Sequence, residues 1–498
     1  MKLSKSSYIR GKQCLKSLWL EAKRPETLTE LNASRAHTLN TGRSVGELAR
    51  QLFPGGFLLP YEGTNLSEKV ALTRAKLAEG IATIYEATFE FCGVIVMVDI
   101  LHKGQNGWEL YEVKSSTSLD NVHLDDISLQ YFVVSGSGLR LSRSAIIHLN
   151  KNYTLGSTAK LDLDELFAVK VVDQEVKEHQ VIVSKMVEAM HESLQQSYEP
   201  DVDIGRHCFK PYGCAAFDYC WRQQRNIPAF SIFDVFNVGK KSLALYERGV
   251  INIDQIPDDF ELSERQRLII NAHKENRVLI NYEAIAAFLG ALEYPISHLD
   301  FETFQPAVPE IPGTSPYQQI VFQYSLHIES IDHELIHKEF LAEESGDPRI
   351  GLISRLVADV PKTGTVLAYN KAFEQARLRE LARDFPAYAS ELMGIHDRMI
   401  DLAIPFSKKY YYHPDLRGKH SIKVVLPHLE PEMSEAYSSL ELVQNGADAM
   451  SIFSGLKKMN RENRERYRSA LLKYCELDTL AMVKTLTKLR TLMDTSLP

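Results

Sequence analysis

Three cysteines lie at even spacing in the stretch RHCFKPYGCAAFDYCW: Cys208, Cys214 and Cys220, with five residues between neighbours. The chain of 498 residues holds only six cysteines, which is too few for a disulfide scaffold. In a reducing compartment, clustered cysteines more often bind a metal. The stretch therefore indicates a candidate metal site, whereas Cys92 and Cys475 lie in apolar patterns and are expected in the core.

Acidic and basic residues follow one another in VMVDILHKGQNGWELYEVKSS, which reads as two strands joined by a turn at KGQNG. Asp99 is expected at the end of the first strand. Glu112 and Lys114 share a face of the second, because side chains two apart point the same way. Two neighbouring carboxylates are stable mainly around a cation such as Mg²⁺ or Mn²⁺. With a lysine to position water, this suits phosphodiester hydrolysis; the alternative is a surface salt bridge.

A second group of acids is spread over nearly 180 residues. HLDFET places Asp300 and Glu302 on one strand face, and YCELD places Tyr474 and Asp478 four apart on one helical face. YNKAFE, after the predicted strand TVLA, supplies Glu374. Gathered together, four carboxylates could hold two divalent ions, which would stabilise both the attacking and the leaving oxygen in phosphoryl transfer. Each acid alone is more often a solvated surface group.

The first constellation resembles the PD-(D/E)XK nucleases of the RecB family. The resemblance rests on VD…YEVKSS, on the following stretch DDISLQYFVV and on the upstream stretch GRSVGELA. In that family an Asp, a Glu-x-Lys and a Gln on a helix line the active site, and an upstream helix adds a further ligand. The implied site residues are Asp99, Glu112, Lys114 and Gln130, with Glu47 as a further metal ligand, because Gly46 stands where the family often has His.

Several RecB-like nucleases also carry one cysteine before the nuclease core and three after it, which together hold a [4Fe-4S] cluster. Cys14 in YIRGKQCLKSLWL matches the first of these, and Cys208, Cys214 and Cys220 match the other three. The resemblance implies a structural cluster that closes the ends of the domain. Structural Zn²⁺ and unrelated buried thiols are the alternatives, because four thiolates suit either kind of metal site.

DFET with a distant YxxxD resembles the DEDD exonucleases of the ribonuclease-H-like fold, in the variant that has a tyrosine. The implied site residues are Asp300, Glu302, Glu374, Tyr474 and Asp478. The tyrosine of this family helps to orient the attacking water. Glu374 stands where the second motif normally has Asp, and Asp401 is a further candidate for that place.

The elements that must position these residues are strands and helices in two large segments. IATIYEATFEF, GVIVMVDILH and GWELYEVKSS predict strands, as do ISHLDFETF, IVFQYSLHIES and ELIHKEFLA, and a charged helix is predicted at about 462–489. We expect an α/β chain with a restriction-endonuclease-like (RecB-like) domain at 1–228, a helix-hairpin-helix-like linker at 229–288 and a ribonuclease-H-like domain at 289–498. The whole resembles an uncharacterised bacterial family of the DUF2779 type that fuses two such nuclease domains.

The net charge of −8 means that any nucleic-acid site must be a local basic patch. One candidate patch lies at the start of the sequence and comprises Lys2, Lys5, Arg10, Lys12, Lys16, Lys23 and Arg24. Another is FNVGKKSLALYERGV, in which a turn at Gly239 could present backbone N–H groups to a phosphate beside Lys240 and Lys241. The alternative for the second is an ordinary helical linker.

We expect a divalent-metal-dependent nuclease, an exonuclease by resemblance, with DNA as its substrate. No apolar run is long enough for a signal peptide or a membrane span, so the cytoplasm is the expected location. An RNA exonuclease and a non-catalytic nucleic-acid-binding scaffold are the alternatives. The resemblance would suit a role in DNA repair or phage defence, with a helicase or another repair or defence protein as a possible partner.

Overall fold

The computed structural model describes residues 2–29, 33–60 and 65–494. The chain divides into two compact units, Met1–Ile227 with Pro306–Tyr317, and Pro228–Gln305 with Gln318–Pro498. The segment 229–288, expected as a linker, is grouped with the second unit. In the described part of the chain, no helix combines the length and the apolar character needed to cross a membrane.

The first unit contains a mixed six-stranded sheet whose strands lie in chain order. The strands are β1 (Phe57–Leu58), β2 (Thr83–Phe91), β3 (Val94–Gly104), β4 (Gly107–Lys114), β5 (Leu141–Leu149) and β6 (Phe167–Val171). The helices are α1 (Lys5–Gln13), α2 (Leu15–Lys23), α3 (Ala33–Ala49), α4 (Leu66–Ala78), α5 (Asn121–Gly136), α6 (Leu163–Leu166) and α7 (Asp173–Gln195), followed by a π-helical segment, Asp218–Gln224. β2, β3 and β4 are antiparallel, whereas β4 and β5 are parallel and are connected through α5.

Both faces of this sheet are covered, which explains the nearly continuous apolar runs in its strands. Ile146 packs in a cluster with Ile127 of α5, while its neighbour Ile147 packs on the opposite face with Tyr111. The three strands predicted in this unit are present as β2, β3 and β4, with the predicted turn between β3 and β4. Asp99, however, lies in the middle of β3 rather than at its end.

The second unit contains a five-stranded sheet of order β10-β9-β8-β11-β12 and a small two-stranded sheet, β13-β7. The strands are β7 (Leu279–Ile280), β8 (Ile296–Phe304), β9 (Ile320–Glu329), β10 (Leu335–Leu341), β11 (Val366–Ala368), β12 (Met399–Asp401) and β13 (Tyr411–Tyr412). The helices are α8 (Ile232–Phe236), α9 (Lys240–Glu247), α10 (Glu264–Lys274), α11 (Tyr282–Gly290), α12 (Pro348–Asp359), α13 (Ala372–Asp384), α14 (Ala389–Asp397), α15 (Ile404–Ser407), α16 (Ile422–Leu429), α17 (Glu432–Ser438), α18 (Gly446–Gly455) and α19 (Arg461–Asp494). β8, β9 and β10 are antiparallel, and β11 is parallel to β8 and β12.

The two faces of the five-stranded sheet differ in character. On one face, Leu299 of β8 packs with Leu352 of α12 and Leu378 of α13 in an apolar cluster. The other face lies under α19 and is polar. Gln323 of β9, for example, donates from Nε2 to the carbonyl oxygen of Leu471 on α19 at 2.8 Å. A buried face that is polar rather than apolar is costly unless its groups are paired or bind a ligand.

Candidate active sites and cysteine site

Glu112 is the centre of a charged cluster in the first unit, with only 1% of its surface exposed. Its Oε1 accepts from Nζ of Lys5 at 2.6 Å and from Nζ of Lys114 at 2.8 Å. Its Oε2 accepts from the side-chain amide of Gln130 on α5. Burial alone would raise the pKa of Glu112, but Lys114 and Lys5 outweigh it and hold the pKa well below its usual range. Glu112 is thus an ionised carboxylate.

Asp99 has the opposite electrostatic environment. The paired register of β3 and β4 stops at Ile100, and Asp99 Oδ2 instead accepts the backbone N–H of Val113 at 2.6 Å. Burial, then the charge of Glu112, raises the pKa of Asp99 to about 8; Glu86 adds to this effect and Lys5 opposes it. The two predicted carboxylates are therefore neighbours with pKa values moved in opposite directions, as expected of a candidate catalytic or metal site.

Glu86 on β2 is a carboxylate of this cluster that sequence reasoning missed. It has a left-handed φ of 59° and lies where the register of β2 with β3 skips one residue, opposite Asp99. Its side chain is 14% exposed and its Oε1 lies 2.7 Å from Nη2 of Arg50. Glu86 lies between Tyr85 and Ala87 in β2, and nothing in this pattern distinguishes it from Glu90 of the same strand.

Glu47, which the resemblance implied as a further metal ligand, lies on α3 with an exposed side chain. Within residues 2–29, 33–60 and 65–494, no hydrogen bond or ion pair joins it to Asp99 or Glu112. Glu86, by contrast, is close enough to Asp99 to raise the pKa of that carboxyl.

Lys114 connects the cluster to α5. Its Nζ makes ion pairs with Glu112 and with Asp126 on that helix. The predicted set of Asp99, Glu112, Lys114 and Gln130 is thus brought together. Its carboxylates offer the oxygen ligands that Mg²⁺ and Mn²⁺ prefer, and its lysine could polarise a water or stabilise phosphate charge.

A second cluster lies between β8 and α19 in the second unit. Asp300 and Glu302 share a face of β8, and one ligand atom from each lies within 4.8 Å of the other and of Cys475 Sγ. Asp478 follows on α19, and Glu374 comes from the first turn of α13. Cys475 is buried, as predicted for a core residue, but it belongs to the carboxylate cluster. Its position three residues before Asp478 on a helix was a signal that sequence reasoning did not use.

The electrostatics show that these acids are close together. Burial, followed by repulsion from Asp478, Glu302 and Glu374, raises the pKa of Asp300 well above its usual range. Burial and Asp478 raise the pKa of Glu302 to about 8. Burial also raises the pKa of Glu374 to about 8, and its Oε2 has no hydrogen-bond partner. Divalent cations would relieve this repulsion and could convert four costly carboxylates into a cation site.

Two tyrosines and a lysine surround Asp478. Tyr437 OH donates to Asp478 Oδ1 at 2.8 Å, and Lys423 Nζ donates to the hydroxyl oxygen of Tyr474 at 2.8 Å. Burial and the charge of Asp478 raise the pKa of both tyrosines, so both hydroxyls stay protonated. Tyr474 was predicted for this site, whereas Tyr437 and Lys423 were not, because nothing in their sequence context marks them.

Asp401, the other candidate for the second motif, has a local structural role. Its Oδ1 accepts the backbone N–H groups of Asn370 and Ala403, both at 2.9 Å. Glu374 is 3% exposed and contributes to the electrostatics of Asp300 and Glu302. Glu374 is therefore the better candidate ligand.

The predicted cysteines meet in the first unit, where all four line one cavity together with Lys16 and Ser17. The four are Cys14, Cys208, Cys214 and Cys220. Cys14 is the residue between α1 and α2, and Cys220 lies in the π-helical segment. Burial, with a contribution from the other thiols, raises the pKa of Cys220 to about 12. Cys92 is exposed, so its predicted place in the core is wrong.

The spacing of the thiols bears on what the cavity could hold. A tetrahedral zinc ion with Zn–S bonds of about 2.3 Å brings its sulfur ligands within about 4 Å of one another. Among the described residues, the groups of three metal ligands whose atoms lie within 4.8 Å of one another include no trio of these cysteines. A cubane iron–sulfur cluster is larger than a single ion and holds four thiolates farther apart.

The two predicted basic patches are largely occupied by internal contacts. The ion pairs at the start of the sequence are Lys2–Glu90, Lys5–Glu112, Arg10–Glu21, Lys12–Asp125, Lys16–Glu199 and Arg24–Glu26. In the other patch, the Gly239 N–H donates to the carbonyl oxygen of Asn237 at 2.9 Å and to Ser242 Oγ at 3.0 Å. That N–H is thus already engaged, which favours the ordinary helical interpretation of α8 and α9.

Comparison with known proteins gives a family match but no activity. The chain is 25% identical to the uncharacterized protein UU173 of Ureaplasma parvum over 55% of its own length and 43% of that protein. It is 29% identical to the uncharacterized protein MG366 homolog of Mycoplasma pneumoniae over 37% of its length and 31% of that protein. The matches thus span less than half of either relative. Residues 297–421, which include Asp300, Glu302 and Glu374, match the family described as a domain of unknown function, DUF2779.

Proposed function

We propose that the protein is a divalent-metal-dependent nuclease with two active sites, one in each unit. The observation that carries the proposal is the group of Asp300, Glu302, Glu374 and Asp478, in which Glu302 and Glu374 are buried and Asp300 and Asp478 are partly buried. Their charges repel one another. Two divalent ions held by such a group would stabilise the attacking and the leaving oxygen of a phosphodiester. Tyr474, beside Asp478, is suited to orient the attacking water.

The second unit has the architecture that this activity would need. The three antiparallel strands β8, β9 and β10 and the two parallel strands β11 and β12 accord with a ribonuclease-H-like sheet. The order of the acidic residues along the chain supports the same proposal.

The first unit supports a second hydrolytic site. Glu86, Asp99 and Glu112 would hold one cation, and Lys114 would act on the water or on the phosphate. Gln130 would orient Glu112 through its hydrogen bond. The parallel pair β4–β5 with its α5 crossover puts the Glu-x-Lys strand and the Gln helix side by side, as in the RecB-like nucleases that the motif resembles.

A [4Fe-4S] cluster is the cofactor that we propose for the cysteine cavity. Four thiols that line one cavity suit either a cluster or a single zinc ion, and the resemblance to RecB-like nucleases favours the cluster. When bound, the cluster would provide structural cross-linking between the segment around Cys14 and the segment 208–220. Cys14, Cys208, Cys214 and Cys220 would be its ligands.

The test uses end-labelled single-stranded DNA and RNA of one sequence with Mn²⁺. Wild type is compared with Glu112→Gln and Asp300→Asn, and with the control variants Glu109→Gln and Asp332→Asn. Glu109 is on the same strand as Glu112, and Asp332 is an exposed acid in the turn between β9 and β10. We expect cleavage to fall in Glu112→Gln, in Asp300→Asn or in both, and to persist in the controls.

DNA is the polymer that we expect to be cut, on the strength of the resemblance alone. Cleavage of RNA only would replace DNA by RNA in the proposal. A wild type that cuts neither polymer, with its cysteine site loaded, would contradict the nuclease assignment. Unchanged cleavage in the Glu112→Gln/Asp300→Asn double variant would trace the activity to a contaminant.

A further inference from the structure

A row of three histidines crosses the sheet of the second unit. His298 on β8, His327 on β9 and His337 on β10 are register partners. Partners across antiparallel strands project from the same face, so the row lies on the face beneath α19. Glu476 of α19 reaches it, because one ligand atom from each of His327, His337 and Glu476 lies within 4.8 Å of the other two.

A chain of hydroxyl groups orients two of these rings. Ser325 Oγ lies 3.0 Å from Nε2 of His337 and 2.7 Å from Oγ1 of Thr479. The same Thr479 Oγ1 lies 2.8 Å from Nδ1 of His327. Each ring thus has one nitrogen in contact with a hydroxyl group. The other nitrogen, Nδ1 of His337 and Nε2 of His327, remains for a metal ion. Histidines that bind metals are held in this way, with the second ring nitrogen hydrogen-bonded to a neighbouring group.

Glu476 completes a set of three donors. Its Oε1 lies 3.8 Å from Nδ1 of His337, which is too far for a hydrogen bond but suits two ligands of one ion. Two imidazoles and one carboxylate form a donor set that Zn²⁺ takes in proteins, with the fourth position open. Imidazole also suits related transition-metal ions, whereas Mg²⁺ prefers oxygen ligands.

His298 is the third member of the row. It is fully buried, its Nε2 lies 3.9 Å from Oε2 of Glu329, and among the described residues its Nδ1 has no hydrogen-bond partner. Buried polar groups without partners are rare in native structures, and an ion is one of the explanations for them. His298 is the register partner of His327, so this nitrogen belongs to the same row.

We propose that His327, His337 and Glu476 form a binding site for a transition-metal dication of the zinc class. The site is separate from the carboxylate cluster and does not depend on the nuclease proposal. The ion ties α19 to β9 and β10. Since α19 also carries Tyr474 and Asp478, occupancy of this site holds the helix that completes the carboxylate cluster.

The experiment is equilibrium dialysis of the full chain against Zn²⁺ in excess Mg²⁺, which fills the oxygen-donor sites. Wild type is compared with His337→Ala and Glu476→Gln, so that zinc bound by the cysteines cancels in the difference. The control is His333→Asn, which removes an exposed histidine from the turn between the same two strands. Asn is chosen because residue 333 has a φ of 61°, which Asn tolerates.

We expect both site variants to bind one zinc equivalent less than wild type at the concentration that saturates the wild-type site. The affinity of the altered site for Zn²⁺ should fall by at least about 10- to 100-fold, which is the range for disturbing even an outer partner of a metal site. His333→Asn should match wild type. With Co²⁺, the difference spectrum of wild type minus each site variant should contain visible ligand-field bands but no near-ultraviolet charge-transfer band of thiolate ligands. Equal zinc stoichiometry and affinity in wild type and Glu476→Gln, whose position is partly exposed and tolerant of change, together with an unaltered cobalt spectrum, would overturn the proposal.

Discussion

Cys475 Sγ lies 3.6 Å from Asp300 Oδ2, so a thiol shares the carboxylate cluster of the second unit. Burial, then the charges of Asp300 and Glu302, raises the pKa of this thiol well above its usual range. At neutral pH it is a neutral donor to Asp300, and a soft ion that displaces its proton would gain a thiolate ligand.

Cys475→Ser should therefore change which metals the cluster tolerates. Serine keeps a hydrogen-bond donor beside Asp300, so cleavage supported by Mg²⁺ should persist. Inhibition by Cd²⁺, a soft ion, should weaken because the sulfur ligand is gone. The measurement is a Cd²⁺ titration of nuclease activity in the presence of Mg²⁺. Cys92→Ser, at an exposed cysteine, is the control, and equal Cd²⁺ inhibition of both variants would refute this role for Cys475.

Glu302→Gln should stabilise the metal-free protein at alkaline pH. The folded state holds the pKa of Glu302 at about 8, above its ordinary value of 4.5, so between these pH values the folded state binds a proton that the unfolded state does not. Stability is then lost as the pH rises through this window, and glutamine removes the loss. One pKa unit corresponds to about 1.4 kcal/mol, so the gain at pH 8 should be at most a few kcal/mol.

Thermal midpoints at pH 6, 7 and 8, in EDTA and in Mg²⁺, measure this effect. Wild type should gain stability from Mg²⁺, and Glu302→Gln should gain less, because it has lost a ligand. Asp332→Asn should behave as wild type. A Glu302→Gln protein that is less stable than wild type in EDTA at pH 8 would contradict the repulsion argument.

Tyr437→Phe should weaken the cluster without removing any ligand. The phenol orients Asp478 through a 2.8 Å hydrogen bond. Losing such an outer partner typically costs about 10- to 100-fold in metal affinity or activity. The measurement is the Mn²⁺ concentration that gives half-maximal cleavage, compared with Tyr282→Phe at an exposed tyrosine. An unchanged Mn²⁺ requirement would show that Tyr437 only packs.

Cys14→Ser should affect both the proposed cofactor and the candidate active site of the first unit. It removes one thiol from the cavity, so the visible absorbance of an iron–sulfur cluster should fall in the purified protein. Cys14 also joins α2 to α1, whose Lys5 neutralises Glu112, so cleavage dependent on Glu112 should fall as well. Cys92→Ser should change neither property. Absorbance and iron content that survive the Cys14→Ser change would exclude Cys14 as a ligand.

Gly364→Ala should strongly destabilise the second unit. Gly364 has a φ of 83°, and an added Cβ would lie 2.1 Å from the carbonyl oxygen of Pro295. Left-handed strain alone costs about 1–3 kcal/mol, and the clash adds to it. Gly394→Ala is the matched control, because α14 leaves open space there and alanine should stabilise by about 0.4–1 kcal/mol. Thermal midpoints that move equally for both variants would contradict this account.

Short-range patterns in the sequence predicted the strands and the acids that lie on them. Alternation placed Asp300 and Glu302 on one face of β8, and helical spacing placed Tyr474 and Asp478 together on α19. These relations depend on periods of two and about four residues, which the sequence displays directly.

Contacts between residues on different helices and strands could not be predicted from these short-range patterns. Glu86 enters the first cluster through a local distortion of β2, and Lys423 reaches Tyr474 from a different helix. Glu47 was predicted from a motif position, but the orientation of α3 leaves it exposed. Such contacts depend on how helices and strands pack, which a one-dimensional pattern does not encode.

The distance along the chain between β8 and α19 also has a consequence for biosynthesis. A ribosome makes Asp300 and Glu302 well before Asp478, and Glu374 in between. Until α19 has left the exit tunnel and docked on the sheet, the second cluster lacks Tyr474, Cys475 and Asp478. A nascent chain would therefore carry no complete second group of cation ligands before this helix has folded onto the sheet.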